Sequence, residues 1–546
     1  LEGPLSSVRV LRPRSGEVGV IAESTAARDT GRPSVGGEVE VRAGAESAID
    51  VAMEKASRIV FDVTDGAVPG KKCPLKAQII GLGLTPDPDL GSPLQAHGCA
   101  NQYHAENGWF EVQVPPGEYM VVLTRGIEYS HREVRIKVEP GKDSVVAAEL
   151  RRIVDTAGRV STDFHSHSTP SGDNYCGTDD RVINLAAEHI EFAATTEHNR
   201  FYDWAPHIRR LGLADEMSTA VGIELTGSGA HFNAFPFRAT RWAQDGGAPT
   251  WQKDPRLNAI VLRDFQGGGP DRYVQLNHPQ VGEFFRDRNA DGVPDGGFRG
   301  LEHLIDAAEV WSEEILNPEP WLIHRDRTTG KETPYQNRTF AWLQLLNQGR
   351  FLHVVAVSDA HSVFTNGAGG WRTYVPSSTD DPARIDPREL VRNARAGRMI
   401  VTNGPYLEVA LDDGTLPGGH ARRSGTAEID VKVQCTDWIE IDRVQVLVNG
   451  RRPPDLDFTR AKNPEMFGKG VVKFRRRIAV PLAEDAHLIV AAVGEGHSLR
   501  TGYGRAWQAA MRPTAFSNPI FIDTDGDGFE PNGDTLGHPL PTAKKP

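Results

Sequence analysis

The chain has no apolar run long enough to cross a membrane and no charged-then-apolar signal segment at its start. It opens Leu1-Glu2-Gly3-Pro4, so the missing signal decides nothing about export. Cysteine is scarce. The four residues, Cys73, Cys99, Cys176 and Cys435, form no C-x-x-C pair, which argues against a thiolate zinc ribbon and a thioredoxin-type redox pair. Cys73 and Cys99 fall in one candidate domain, where a disulfide and two isolated thiols stand as equal readings. There is no Gly-x-Ser-x-Gly elbow, no His-Glu-x-x-His and no Gly-x-x-x-x-Gly-Lys loop, which sets aside three common hydrolase and nucleotide-binding designs. No basic block or stacking platform is visible: 61 Lys+Arg against 73 Asp+Glu are spread along the chain, for a net charge of -12. Nucleic acid is therefore not an expected partner. No internal repeat of solenoid type is found.

What the chain does have is length and turn residues. At 546 residues it exceeds one ordinary core, so two to four domains are expected. Its 56 Gly and 37 Pro suit short strands and turns. Residues 1–56 read as a β-rich lead-in. From Arg58, alternating runs such as "RIVFDVTDG" and "GWFEVQVPPGEYMVVL" are punctuated at β-sandwich spacing, giving a domain over 57–155. The second of these runs resembles the carboxypeptidase-regulatory-like β-sandwich found beside many exported hydrolases. Over 156–410, short strands alternate with helical stretches, the mark of repeated β-α units. Strand patterning returns over 411–522, where "VLVNG" ends in a hairpin signal, so a second β-sandwich is expected there. The tail, 523–546, is acidic, Gly- and Pro-rich, and expected to fray at its end. The fold class expected is thus multidomain, α/β plus all-β.

In the middle region the apolar runs end in metal-capable residues. His165-x-His167 sets two imidazoles on one face of a strand, about 6 to 7 Å apart. Alone the pair is weak evidence, since 18 His in this chain give roughly 0.6 such pairs by chance. Asp359-x-His361 repeats the geometry after "HVVAV". Between them come His198 after "EFAATT", Glu224 after "TAVGI", His231 before "FNAF" and His278 after "YVQL". Each has a bland alternative: a strand cap for His198 or His278, an arginine partner for Glu224, a loop position for His231. Together, imidazoles and carboxylates at successive strand ends match the mixed ligand sets of zinc, manganese and iron. In a parallel α/β barrel those ends share one face and converge.

The order of the motifs resembles the PHP (polymerase and histidinol phosphatase) superfamily of metallohydrolases, and within it the CehA/McbA branch named for carbaryl hydrolases. The residues are "DFHSHS" at 163–168, "TTEHN" at 195–199, "GIELT" at 222–226, "HFN" at 231–233, "NHP" at 277–279 and "SDAHS" at 358–362. "ARAGRMIVTNGPYL" at 394–407 and "NPIFIDTDGDG" at 518–528 add to it, so the resemblance spans about 57–530. It implies a distorted seven-stranded β/α barrel holding two or three divalent metals. By the same transfer His165, His167, Glu224 and Asp359 hold one metal, and Glu224 bridges to a second held by His231 and His278. His198 and His361 hold a third with Asp173, for which Asp179 and Asp180 are neighbouring alternatives. Glu197 departs from the family, which has Asp before the His.

A metal-bridging hydroxide would then cleave an ester-type bond without a protein nucleophile. Glu224, Asp359, His231 and Arg200 are the residues expected to act in the reaction; Arg200, after "EHN", would hold an anionic group or else serve as a solvent-facing ion-pair partner. A small-molecule ester is the expected substrate. Phosphoesters are slightly favoured, with carbamates, carboxyl esters and amides as the alternative, and an inactive secreted binding protein as the reading from another class. Asp523, Asp525, Asp527 and Asp534 follow the spacing of a calcium loop, as Asp287, Asn289 and Asp291 do in part; solvated turns are the competing reading. A periplasmic or secreted location is expected from the sandwich modules, the acidic loop and the few cysteines. Oligomeric state stays open.

Overall fold

The computed structural model describes residues 56–541 apart from 228, 290, 292–293 and 326–328, together with the backbone of Leu5–Leu11, Val18–Ser24 and Val35–Val39. Those three strands form one antiparallel sheet within the expected lead-in. The rest of the lead-in before residue 56, and 542–546 of the tail, lie outside the described residues. The chain is mixed α/β, with several sheets and few helices. No described helix is long and apolar enough to cross a membrane.

Strict alternation makes Arg58–Asp65 a strand that buries Ile59, Phe61 and Val63 on one face. It pairs with Trp109–Gln113 and, in parallel, with Asp143–Leu150. A second sheet, Gln102–Ala105, Leu75–Gly81, Gly117–Thr124 and Arg132–Val138, packs on it, and one hydrophobic core lies between the two. All four cysteines are free and buried, so the disulfide reading of Cys73 and Cys99 is not realised. Cys99 packs instead beside Cys176.

Arg159–Asp163, Phe192–Thr195 and Ser218–Val221 run parallel, with the helices Thr178–Ala187 and Ala205–Arg210 in the connections. The first two are buried on both faces, as a parallel sheet covered by helices requires, while the edge strand Ser218–Val221 is only partly buried. On the far side of Arg159–Asp163, the antiparallel strand Arg372–Pro376 continues the sheet through Ile400–Thr402, Thr514–Ser517, Ala486–Val493 and Arg443–Val448. An eleven-stranded sheet thus runs through the position near residue 411 where the sequence pattern changes. Behind its C-terminal part lies a three-stranded layer, Tyr406–Leu411, Thr426–Gln434 and Val472–Pro481, and Val409, Val431 and Ile478 join Val444, Val446 and Ile489 in one core.

A separate four-stranded sheet, Ile223–Gly227, Ala230–Phe235, Tyr273–Leu276 and Ala307–Ala308, stands opposite. An isolated bridge between His198 and Glu224 joins the two systems directly, and the segment 354–360 links them through bridges of Val354 with Ala308 and of Ala360 with Ser166. Helix starts follow local chemistry. Asp254 and Asp386 cap helices whose first residue is proline, and Asn337 caps Arg338–Asn347. The tail before residue 542 is tied down, because Asn347, Gln344 and Gln348 on that last helix donate to the carbonyls of Asp534, Thr535, His538 and Gly533.

Candidate metal centre

The candidate ligands come from different places around one rim: His165, His167, His198 and His278 lie within four residues after a strand, Glu224 and His231 sit second in theirs, and Asp173, Asp359 and His361 come from loops. His165 and His167 follow Arg159–Asp163; both are fully buried. Glu224 lies on Ile223–Gly227 and is 1% exposed. Asp359 arrives from the bridged segment beside His165, whose carbonyl accepts the Asp359 N–H at 2.8 Å.

Four ligand atoms enclose a point. His165 Nε2 stands 2.9 Å from His167 Nε2, 3.4 Å from Glu224 Oε2 and 3.3 Å from Asp359 Oδ1. His167 Nε2 is 3.3 Å from Glu224 Oε2 and 3.2 Å from Asp359 Oδ1. A tetrahedral ion with ligands at about 2.0 to 2.2 Å has edges of about 3.3 to 3.6 Å. Five edges of such a figure are thus in place, one of them somewhat short. Glu224 Oε2 is buried among imidazole nitrogens, His198 Nδ1 at 2.9 Å besides His165 and His167, without a well-aligned hydrogen bond to any of them, a setting that a cation would satisfy. The residues fit a divalent metal.

Two further groups adjoin this one. Glu224 Oε1 is 3.1 Å from His231 Nδ1 and 3.6 Å from His278 Nε2. His167, His198 and His361 form a third set of converging nitrogens, and Asp173 Oδ2 lies 3.1 Å from His198 Nε2 and 3.5 Å from His361 Nε2. All nine residues expected as ligands are therefore brought together, Asp173 among them. The rival aspartates are engaged elsewhere: Asp179 with Arg210 and His207, Asp180 with the Ala96 N–H.

Electrostatics follow from this crowding. Burial pushes the His165 and His167 imidazolium pKa values down, but Asp359, Glu224 and, at His165, Glu309 outweigh it. His165 ends well above the usual histidine value and His167 at about 9. Burial likewise raises the Glu224 and Asp359 pKa values, and the neighbouring imidazoles overcome it, leaving both below the ordinary carboxylate range. Without metal the cluster holds protons where a cation would sit.

A second layer orients the ligands, and sequence reading passed over most of it. Glu309 accepts from His165 Nδ1 at 2.6 Å, from Gln275 Nε2 at 2.8 Å and from the His278 backbone N–H at 2.8 Å. Its only signal was a position just past the apolar start of "AAEVW". Asn277 Nδ2 donates to Glu224 Oε1 at 2.9 Å. Glu197 accepts from Ser168, from Ser171 Oγ at 2.6 Å and from Trp204 Nε1 at 3.2 Å, and Ser171 Oγ contacts His167 Nδ1 at 3.0 Å. Its glutamate length spans that gap. Arg200 is paired with Asp245 at 2.9 Å and sits half-exposed.

The acidic loops differ from expectation. Asp534 does not join Asp523 and Asp525; its carboxylate takes a two-pronged bond from Arg451 at 2.6 and 2.9 Å. Asp485, from a distant turn, converges with Asp523 and Asp525 instead. Asp527 is exposed and its carboxyl pKa is raised, chiefly by a hydrogen bond to Asp525. In the other loop Asn289 and Asp291 bond each other at 3.1 Å, while Ala290, Gly292 and Val293 lie outside the described residues.

The chain matches no family model and no curated protein.

Proposed function

We propose that this protein is a metal-dependent hydrolase of ester-type bonds. The observation that supports this most is the enclosure of one point by His165, His167, Glu224 and Asp359 at 2.9–3.4 Å, with the second Glu224 oxygen facing His231 and His278. The motif order favours the PHP superfamily and its CehA/McbA branch. The bridge from His198 to Glu224, with those of the segment 354–360 to both sides, favours reading the two sheets as staves of one distorted seven-stranded barrel.

Bound divalent ions, zinc, manganese or iron, would supply Lewis-acid polarisation of the ester oxygen and a water acidic near neutral pH. The chain's own residues do the rest. Glu309 keeps the His165 ring oriented so that Nε2 faces the centre. Asn277 holds in place Glu224 Oε1, the oxygen that faces His231 and His278. His231 and His278, 30% and 40% exposed, lie at the mouth, where substrate would enter.

Phosphoesters are the first substrate class and carbamates or carboxyl esters the second. One observation favours the second: a phosphate pocket needs unengaged cations, and Arg200 is already bound to Asp245. The test is elemental analysis with parallel assays on aryl phosphoester, carboxyl-ester and carbamate substrates, for the native chain and for His165→Ala with Asp359→Ala. Two or three metal equivalents and one class of hydrolysis, both lost in the variant, are expected. No stoichiometric metal after reconstitution would refute the reading.

A further inference from the structure

We propose that the groove between the start of Arg159–Asp163 and the outer face of the C-terminal three-stranded layer binds a small anion of two or more negative charges. The groove measures about 910 Å³, a size suited to a small molecule. Its floor follows from strand register. Glu408, Lys432 and Arg475 stand opposite one another across Tyr406–Leu411, Thr426–Gln434 and Val472–Pro481, and Asp430 faces Arg477 in the next row. Alternation puts both rows on the same, outward side.

The charges on this floor do not cancel. Lys432 pairs with Glu408 at 3.1 Å, and Arg477 takes both oxygens of Asp430 at 2.9 and 2.6 Å. Arg476 spends its guanidinium on backbone carbonyls. Arg475 has no carboxylate within ion-pair distance among the described residues. In the wall stands Arg159, only 8% exposed, without an ion pair among the described residues, and with Nη1 buried and lacking any hydrogen-bond partner. A buried guanidinium N–H left unpaired is costly and calls for an acceptor. Five basic and three acidic side chains line the groove of a chain whose net charge is -12. Two guanidiniums without a carboxylate, one on the wall and one on the floor, suit oxyanion groups, which the forked N–H donors of arginine grip in pairs. The patch is too short and too interrupted by acids for a nucleic acid backbone.

This site is separate from the metal centre. Arg159 begins the five-residue strand that ends at Asp163, two residues before His165, so the two sites lie at opposite ends of that strand, roughly 15–20 Å apart. The inference therefore does not depend on the hydrolase reading.

Calorimetric titration of the full chain, kept metal-free with chelator at low ionic strength, tests it with inorganic phosphate and with succinate as probes. One equivalent of at least one probe is expected to bind, and which of them binds separates phosphate-type from carboxylate-type ligands. Arg475→Glu, an exposed change that spares the core, is expected to weaken binding by about tenfold or more. Arg159→Lys should weaken it as well, and His278→Ala at the metal centre should leave it unchanged. Absence of binding by both probes up to ~10 mM overturns the proposal. So does binding that survives Arg475→Glu but is lost with His278→Ala.

Discussion

Replacing Glu309 by glutamine tests whether the metal centre depends on residues that never touch a metal. The Glu309 carboxylate faces three donors at once: His165 Nδ1 at 2.6 Å and Gln275 Nε2 at 2.8 Å on one oxygen, the His278 backbone N–H at 2.8 Å on the other. Glutamine keeps the shape but offers one acceptor. Whichever way its amide turns, an NH₂ group meets a donor, so at least one of the three bonds is lost and the negative charge behind His165 disappears. A hydrogen bond to a charged group contributes about 1.5 to 3 kcal/mol. At about 1.4 kcal/mol per decade that is roughly a ten- to hundredfold weaker metal affinity, the range typical of a partner behind a ligating histidine. Competition with a chromophoric chelator measures the dissociation constant for zinc and manganese, and circular dichroism checks the fold. Affinity within about threefold of the native value, in a folded variant, would refute the assignment of Glu309 as the group that orients His165.

Metal should stabilise the native chain: ion at a hundred times its dissociation constant adds about 2.7 kcal/mol, seen as a rise in Tm that His165→Ala with Asp359→Ala abolishes. Because the metal-free cluster holds both His165 and His167 protonated well above the usual histidine range, apparent affinity should climb with pH, about tenfold per unit for each proton displaced, through neutral pH and up to at least about 9. A second group behaves differently. Burial and the neighbouring Glu128 raise Glu191 to about 8, so the stability it contributes is complete below the unfolded carboxylate value and is lost as pH rises toward 8. His189, lowered by burial to about 4, contributes above the ordinary histidine value and is lost as pH falls through 4. Glu191→Gln should therefore flatten the drop in Tm between pH 6 and pH 8.5 while leaving the acid limb; an unchanged alkaline slope would contradict the argument. Asn199→Gly relieves a left-handed backbone but removes two bonds to Thr226, at 3.0 and 2.9 Å, for a net loss of about 1 kcal/mol in thermal unfolding. A gain in stability would show that strain outweighs those bonds.

The ligands were legible because imidazoles and carboxylates have few structural reasons to recur after apolar runs, and His165-x-His167 carries its geometry in its spacing. Glu309 and Asn277 were not, since a lone carboxylate or amide after a strand has no partner at a diagnostic distance in sequence. The strands of the first sandwich showed through alternation, as in Arg58–Asp65. The continuation of the β/α sheet into Ile400–Thr402 and Thr514–Ser517 did not, because it rests on backbone pairing between strands more than a hundred residues apart. Asp485 joins Asp523 for the same reason. It sits in the turn between Val472–Pro481 and Ala486–Val493, and only the pairing of the latter with Ile520–Asp523 brings it near. The docking of the tail rests on three amides of one helix, residues whose side chains give no hint of a destination.

The backbone at the centre is itself strained. Asn199, His278 and Asp359, none of them glycine, all take positive φ, 53°, 30° and 47°, in segments that leave the sheets toward the centre. Such conformations cost on the order of 1–3 kcal/mol apiece and persist only where the surroundings impose them. Each is held by a bond that also serves the ligands: the Asn199 N–H goes to the Glu224 carbonyl, the His278 N–H to Glu309, the Asp359 N–H to the His165 carbonyl. Backbone strain and ligand placement thus share the same few contacts. A relaxed backbone at any of these positions would move a side chain by more than the ~0.2 Å tolerance a metal site allows. The positions where local preference is violated coincide with the ring of nitrogen and oxygen atoms, as expected where function rather than stability selects the conformation.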